Sequence, residues 1–156
     1  MEESVNNSGY SDEKDSQSID SMIEDEFMSP REVSSKYSPL ALAYIGDSIY
    51  DLMVKKHFVL LSNMQPEKYH KKVTSIVSAN AQSAFIDEYI VKLTDDELSV
   101  YKRGRNSSPH TKAKNASLES YLKATGFEAV LGYLYLSGQV DRLREIVNEA
   151  IDQLFA

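Results

Sequence analysis

The stretch that decides the fold reads Ala43-Tyr44-Ile45-Gly46-Asp47-Ser48-Ile49-Tyr50-Asp51-Leu52. Apolar residues recur in and around it at steps of three and four residues, which is the period of a helix with one buried face. Gly46 lies inside this helix, where glycine costs about 1 kcal/mol relative to alanine, so we expect another helix to approach closely there. Asp47 lies beside the apolar stripe, where a carboxylate has to be hydrogen-bonded, paired with a cation or bound to a metal. An aspartate that only caps a helix or forms a salt bridge is the alternative.

A second helical stretch, Gly126-Phe127-Glu128-Ala129, again combines glycine with an acid. Both stretches have to enter the core, and facing carboxylates repel each other unless a proton or a cation lies between them. Mg²⁺ prefers oxygen ligands and commonly takes one or two protein carboxylates, together with water and a substrate phosphate. Such an ion polarises a phosphate and activates a water for in-line attack. The sequence therefore indicates a magnesium site at Asp47 and Glu128. Two acids that never meet are the alternative, and Asp51, four residues after Asp47, is the rival partner.

The rest of the chain also has helical periodicity. The predicted helices cover residues 30–36, 39–61, 66–91, 94–103, 117–136 and 141–155. Serine followed by proline opens the first two, a capping box opens the fourth, and Asp141 is the predicted cap of the last. Gly104 and Gly138 are the predicted ends of the fourth and fifth helices. Because no segment alternates at period two, we predict an all-α domain.

The negative charge of the chain is concentrated in its first part. Residues 1–36 hold ten acidic and three basic side chains, whereas residues 37–156 hold fourteen of each. We expect residues 1–28 to form an acidic, disordered leader and residues 29–156 to form the folded domain. The absence of cysteine excludes disulfides and thiolate metal sites. No apolar run approaches the roughly 20 residues of a membrane span, so we expect a cytoplasmic protein with no membrane partner.

Basic side chains gather in two parts of the folded domain. The first part, residues 99–117, contains no acid at all, and the second lies in residues 55–72. Basic segments with serine, threonine and asparagine neighbours suit phosphate contacts, which supply most nonspecific affinity for nucleic acid. A solvated charged face is the alternative reading. The three histidines lack the spacing of a zinc site, and no serine or histidine stands in the context of a catalytic triad.

The motifs that carry these features resemble those of a known family. Tyr44-Ile45-Gly46-Asp47 with the helix after it resembles the ribonuclease III signature, and two further motifs follow in the expected order, Lys102-Arg103-Gly104-Arg105-Asn106 and Phe127-Glu128-Ala129-Val130-Leu131-Gly132. Three other runs are similar specifically to Mini-III ribonucleases, the short branch without a double-stranded-RNA-binding domain: Leu40-Ala41-Leu42-Ala43, Val77-Ser78-Ala79-Asn80-Ala81-Gln82 and Ala124-Thr125-Gly126-Phe127-Glu128. The resemblance covers residues 29–155, and we expect the chain to end just after the nuclease part.

The resemblance implies an all-helical homodimer that cleaves double-stranded RNA with Mg²⁺, in the maturation of the large-subunit (23S) ribosomal RNA precursor. It implies that Asp47 and Glu128 are the catalytic residues and the metal ligands, and that a large-subunit ribosomal protein is among the partners. Full-size ribonuclease III enzymes carry two further acids, at the positions of Ala43 and Thr125, so here RNA phosphates and waters have to complete the coordination. The RNA contacts that we predict are Lys102, Arg103, Arg105, Asn106, Lys112, Lys114, His70, Lys71 and Lys72.

Two other hypotheses come from different classes of protein. An RNA-binding or ribosome-assembly module without catalysis would explain the two missing acids. A helical dimerisation scaffold would show no salt-dependent binding of RNA.

Overall fold

The computed structural model describes residues 27–107 and 117–155. Within these ranges the chain forms seven α-helices and one 3₁₀ turn and has no strand, so the predicted all-α class is confirmed. The elements are α1 (Pro30–Lys36), α2 (Pro39–Leu61), α3 (Pro66–Val77), α4 (Ala79–Tyr89), the 3₁₀ turn (Ile90–Lys92), α5 (Asp95–Arg105), α6 (Leu118–Leu136) and α7 (Val140–Phe155). None of these described helices has the length and apolar composition needed to cross a membrane. The predicted disorder of the leader falls on residues outside the described ranges, apart from its last two.

The predicted helix starts are confirmed by their capping hydrogen bonds. The hydroxyl groups of Ser29 and Ser38 accept hydrogen bonds from the backbone of the first turns of α1 and α2, and each helix has proline at its first position. Thr94 and Glu97 form the predicted capping box at the start of α5. These caps satisfy amide groups that the helix itself leaves without acceptors.

The prediction of one continuous helix over residues 66–91 is wrong. The chain leaves the helical conformation at Ser78, whose φ of −62° and ψ of 152° are those of extended backbone. The Ser78 hydroxyl then accepts a hydrogen bond from the amide of Ala81 and caps α4. The apolar periodicity runs through this break because α3 and α4 both face the same core.

Two predicted helix boundaries also have to be corrected. α5 does not end at Arg103 but continues to Arg105, and Gly104 is a buried residue inside the helix rather than a left-handed residue after it. α7 begins at Val140, so Asp141 lies in its first turn instead of capping it. The predicted end of α6 at Gly138 is confirmed, since this residue has a φ of +70°, which favours glycine.

Helix α6 is the centre of the domain. Its residues from 124 to 134 are buried, except for the half-buried Glu128, and the helix packs against α1, α2, α4, α5 and α7. Phe127 of α6 meets Tyr50 of α2 and Phe85 of α4 edge to face, with ring centroids 5.3 and 5.5 Å apart. Such aromatic pairs stabilise a core beyond the area that they bury. Because α6 also carries Glu128, the core itself positions this acid.

A buried salt bridge ties α5 to α7. Glu97 is 2% exposed, and its carboxylate accepts hydrogen bonds from Nε and Nη2 of Arg142 at 3.0 and 2.9 Å. Arg142 also donates to the carbonyl of Lys92 at 2.9 Å. The sequence assigned Glu97 only to the capping box, so this second role is an addition from the structure. A carboxylate with this many donors is well compensated for its burial.

Candidate active site

Helices α2 and α6 cross at backbone-to-backbone contact, and a glycine of each helix makes this possible. A Cβ atom added to Gly46 would lie 1.8 Å from the carbonyl oxygen of Glu128. A Cβ atom added to Gly132 would lie 1.9 Å from the carbonyl oxygen of Leu42. No side chain fits at either position. The predicted close approach of another helix at Gly46 is confirmed, and the partner is the helix that carries Glu128.

This crossing places Asp47 next to the point at which α2 contacts Glu128. Asp47 follows Gly46, and Gly46 touches the backbone of Glu128 itself. Burial is the main cause that raises the pKa of Glu128 to about 8; the nearby charge of Asp47 adds to it, and a hydrogen bond from Gln82 opposes it. Desolvation, together with the charge of Asp51, also raises the pKa of Asp47, although this side chain is solvent-exposed on the surface of α2. The charge of Asp47 thus acts on Glu128, whereas the neighbouring acid that acts on Asp47 is Asp51, and the catalytic and metal-binding roles of Asp47 and Glu128 stay predictions.

Gln82 and Tyr50 surround Glu128 from the buried side. The Gln82 amide nitrogen donates to Glu128 Oε1 at 3.1 Å and to the carbonyl of Val77 at 2.8 Å. Burial and the charge of Glu128 both raise the pKa of the Tyr50 hydroxyl, which donates weakly to Ile76 at 3.5 Å. Neither residue is among the site residues predicted from the sequence.

A signal for Gln82 was present in the sequence. It lies three, four and seven residues before the buried side chains of Phe85, Ile86 and Tyr89. This spacing puts a polar amide on the apolar stripe of α4. A buried amide needs partners, so its position alone marks it as a residue to examine.

The rival partner of Asp47 is paired with a lysine, although its charge also acts on Asp47. Asp51 forms a salt bridge with Lys55 at 2.7 Å on the outer part of α2. The positions of the two missing acids are buried: Ala43 has no polar group, and the Thr125 hydroxyl donates to the carbonyl of Tyr121 at 3.0 Å. Within the described ranges, no group of three or more histidine or acidic side chains could hold a metal ion.

The acid pair nevertheless fits the ligand requirement of Mg²⁺. This ion is commonly bound by one or two carboxylates, and it keeps several waters or substrate oxygens. One acid is exposed and the other is half-buried, so a bound ion would keep a side open to solvent. The donor set is thus carboxylate oxygen alone, which suits Mg²⁺ better than softer metals.

The first basic group lies at the end of α5, close to the helix that carries Glu128. Gly104 of α5 packs against Gly126 and Ala129 of α6, two residues before and one residue after Glu128. At this helix end, residues 102–106, three polar or charged side chains are exposed. Arg105 is half-buried, and its guanidinium lies 5.6 Å from the centroid of the Tyr101 ring. The exposed side chains are Lys102, Arg103 and Asn106. Arg103 Nη1 donates to the carbonyl of Ser34 at 2.9 Å, so part of this guanidinium supports the fold.

The second basic group lies on α3. His70 and Lys71 are exposed, whereas Lys72 is half-buried with its ammonium 5.9 Å from the Phe58 ring centroid and 5.6 Å from that of Phe155. Lys112 and Lys114 lie outside the described residues, so their predicted contacts with RNA stay predictions.

Comparison with known proteins identifies the family. The ribonuclease III domain family matches residues 40–139. A Mini-ribonuclease 3 of Clostridium tetani is 45% identical over 117 residues, which cover 74% of this chain and 77% of the relative. The chain belongs to the ribonuclease III family. A Mini-ribonuclease 3 of Enterococcus faecalis is 43% identical, over 74% of this chain and 89% of the relative. These two relatives place the chain in the Mini-ribonuclease 3 branch.

A solved structure extends this likeness to the fold. The crystal structure of a protein from Fusobacterium nucleatum superposes with a TM-score of 0.69 at 28% identity, over 76% of this chain and 94% of that one. The resemblance read from the ordered motifs is confirmed, and this ribonuclease III family member is an endoribonuclease. The hypotheses of a non-catalytic module and of a scaffold are therefore set aside.

Replacing Gly46 by alanine tests the helix crossing in this ribonuclease. The new Cβ atom would overlap the carbonyl of Glu128, so α2 and α6 have to separate. Overpacking of this kind costs roughly 1–3 kcal/mol, against a gain of about 1 kcal/mol in helix propensity. A shift of the acids by about 1 Å lowers the cleavage rate about 100-fold. We expect a large fall in the rate of RNA cleavage and only a small fall in the free energy of unfolding, which urea unfolding measures. Ser48→Ala, on the exposed face of α2, is the control, and wild-type cleavage by Gly46→Ala would contradict the account.

The pH dependence of stability tests the environment of Glu128. Its pKa rises from 4.5 in the unfolded chain to about 8 in the folded protein, so the folded state binds this proton more tightly. The resulting stabilisation is complete below about pH 4.5 and is lost as the pH rises through about 8. Without divalent ions, the free energy of unfolding of the wild type should fall over this range relative to Glu128→Gln, by a few kcal/mol at most. Urea unfolding at each pH measures the difference, and parallel curves for the two proteins would show that Glu128 is not perturbed.

Proposed function

We propose that this ribonuclease hydrolyses double-stranded RNA with Mg²⁺, in the maturation of the large-subunit ribosomal RNA precursor. The observation that carries the proposal is the meeting of Asp47 and Glu128 at the crossing of α2 and α6. A buried acid whose ionisation is opposed by a second acid nearby is poor for stability alone, which favours a functional reason for the position of Glu128 beside Asp47. The named relatives supply the ribonuclease activity, and this acid pair supplies the argument for the metal.

In this proposal Asp47 and Glu128 hold the ion through their carboxylates. An Mg²⁺ ion held by these two residues would supply Lewis-acid chemistry, polarising the phosphate and activating a water for attack. Glu128 has to lose its proton before it can act as a ligand, and its raised pKa means that the metal ion competes with this proton for the carboxylate. Asp47 is solvent-exposed, so the RNA phosphate can reach the pair from its side.

The two basic groups support a duplex substrate. A-form RNA is recognised mainly through its phosphates and 2′-hydroxyl groups across the shallow minor groove. The exposed Lys102 and Asn106 belong to the helix end that packs on Gly126 and Ala129, on either side of Glu128 in the chain, and Lys71 is exposed on α3. We propose that these side chains, together with Arg103, Arg105, His70, Lys72, Lys112 and Lys114, bind the phosphates on either side of the acid pair.

A homodimer completes the proposal. The helix that carries Asp47 also exposes apolar side chains at Leu40, Tyr44 and Leu52, which follow one face at steps of four and eight residues. Tyr44 is 80% exposed, although a ring of this size is usually covered in a stable assembly. A second copy packed on this face would place one acid pair on each strand of a duplex. We further propose the cytoplasm as the location and a large-subunit ribosomal protein as a partner during processing.

Magnesium removal and Asp47→Asn test the reaction. A long RNA duplex should be cut by the wild type with Mg²⁺ and left intact with a chelator. Asp47→Asn should lose at least about 100-fold in rate because one of two metal ligands is gone, but should bind the duplex with the same affinity and salt dependence. Gel analysis of the products measures the rate, and fluorescence anisotropy measures binding.

Asp51→Asn is the matched control, since Asp51 lies one turn away and pairs with Lys55. It should cleave at close to the wild-type rate. Full activity of Asp47→Asn, or of the wild type in excess chelator, would overturn the proposed chemistry. Equal cleavage of single-stranded RNA would overturn the proposed substrate.

Tyr44→Asp tests the proposed dimer. A charge on the exposed apolar face of α2 should disfavour association by desolvation and by repulsion between the two copies. We expect sedimentation equilibrium to show a dimer for the wild type and a monomer for the variant. Val91→Asp is the control, because Val91 is 84% exposed at a different place on the surface. A monomeric wild type would refute this part of the proposal.

A further inference from the structure

Gln82 is a buried polar side chain whose hydrogen bonds join three helices at the acid pair. It is only 1% exposed. Its amide nitrogen donates to the last carbonyl of α3, at Val77, and to the Glu128 carboxylate on α6, while Gln82 itself lies in the first turn of α4. The break at Ser78 is what turns the start of α4 so that this side chain lies next to Val77. Gln82 therefore connects the break between α3 and α4 with the site.

The Val77 carbonyl determines which way round the amide lies. A carbonyl oxygen can only accept, so the amide nitrogen has to face Val77, and its second hydrogen is then directed to Glu128. The opposite orientation would put the amide oxygen against the Val77 carbonyl oxygen, which is also an acceptor. Glu128 thus receives a donor whose position is fixed by the backbone.

This arrangement has a cost that packing alone does not explain. In the described structure, Gln82 Oε1 is buried and has no hydrogen-bond partner. An unsatisfied buried acceptor is unfavourable, and an apolar side chain of similar length would avoid it. A lysine or arginine at this position would donate to Glu128 as well, but its charge would neutralise the carboxylate and compete with a cation. Glutamine is the residue that fixes a carboxylate without adding charge.

We propose that Gln82 is a positioning residue that holds the Glu128 carboxylate in the orientation in which it binds the metal ion together with Asp47. The inference rests on the proposed function. Only one Glu128 oxygen, Oε1, is held by Gln82, which leaves the other free to face an ion. Orientation matters here because the positions of the two additional acids are taken by Ala43 and Thr125, so that few fixed ligands remain.

Gln82→Met removes the donor and keeps the length of the side chain. Partners that orient a metal ligand typically contribute 10–100-fold to metal affinity or activity, so the Mg²⁺ concentration for half-maximal cleavage should rise about 10-fold or more. Saturating Mg²⁺ should restore most of the maximal rate. Without RNA, the dissociation constant of Mn²⁺, measured by electron paramagnetic resonance, should rise by a similar factor. A purely structural role predicts a lower melting temperature and an unchanged metal requirement.

The chain offers a matched control. Gln153 donates to Glu149 Oε1 at 3.3 Å on the exposed face of α7, so Gln153→Met removes the same kind of hydrogen bond away from the site. It should leave both metal measurements unchanged. If Gln82→Met does not fold, Gln82→Asn takes its place, because an amide that is one methylene shorter cannot reach both acceptors and should shift both measurements in the same direction.

Glu128→Gln separates the two levels of the argument. If Glu128→Gln cleaves RNA and binds Mn²⁺ like the wild type, the proposed function fails and the role of Gln82 fails with it. If Glu128→Gln is inactive but folded Gln82→Met has wild-type metal dependence in both measurements, the inference about Gln82 alone is overturned.

Discussion

The backbone contact between α2 and α6 is the constraint on which the rest of the structure depends. Gly46 lies against the carbonyl of Glu128, and Gly132 lies against the carbonyl of Leu42, so the crossing is fixed at two points. Helix axes usually stay 8–10 Å apart because side chains separate them, and small residues permit the lower end of that range. Since Asp47 is the residue after Gly46, the contact that closes the core also sets the distance between the two acids. Fold and site therefore share one packing requirement.

The position of Glu128 is electrostatically unfavourable, and the surroundings explain how it is tolerated. Burial and the charge of Asp47 both disfavour the ionised form, and only the amide of Gln82 opposes them. Two outcomes satisfy such a pair, namely a proton shared at the site or a cation bound between the acids. The shared proton is available at neutral pH to the folded protein without any bound ion. The second requires the proton to leave, so the metal binding that we propose for this pair would weaken as the pH falls, because of the same burial that raises the pKa.

The success of sequence-based prediction here depended on whether a signal was local. Helix starts at Ser29, Ser38 and Thr94 were predicted correctly because a cap and its partners lie within four residues. Gly46 also predicted a close contact between helices, because glycine lowers the stability of a helix interior and is expected there only where a side chain would not fit. The break at Ser78 was missed, since the contact that accompanies it runs from Gln82 back to Val77 and the apolar period does not change.

Contacts between distant segments explain the other errors. Gly104 follows the local rule for a helix end, but its contact with Gly126 of α6 keeps it inside α5. Glu97 satisfies the local pattern of a capping box, which conceals its salt bridge with Arg142, forty-five residues away. That Asp47 and Glu128 lie near each other could be inferred only as a possibility from two similar motifs, because the contact between α2 and α6 joins distant segments of the chain.

Helix α6 relates the acids to the basic side chains as well. Gly126 and Gly132 are six residues apart, about 9 Å along the helix, and Glu128 lies between them. Gly132 fixes α2 with Asp47, whereas Gly126 fixes α5, whose basic end we propose as a phosphate contact. Both contacts involve backbone atoms, so neither α2 nor α5 can slide along α6. Helix α6 therefore sets the spacing between the acid pair and the proposed phosphate contact. The metal site that we propose has few fixed ligands and would depend on that spacing, because the substrate phosphate itself would have to complete the coordination.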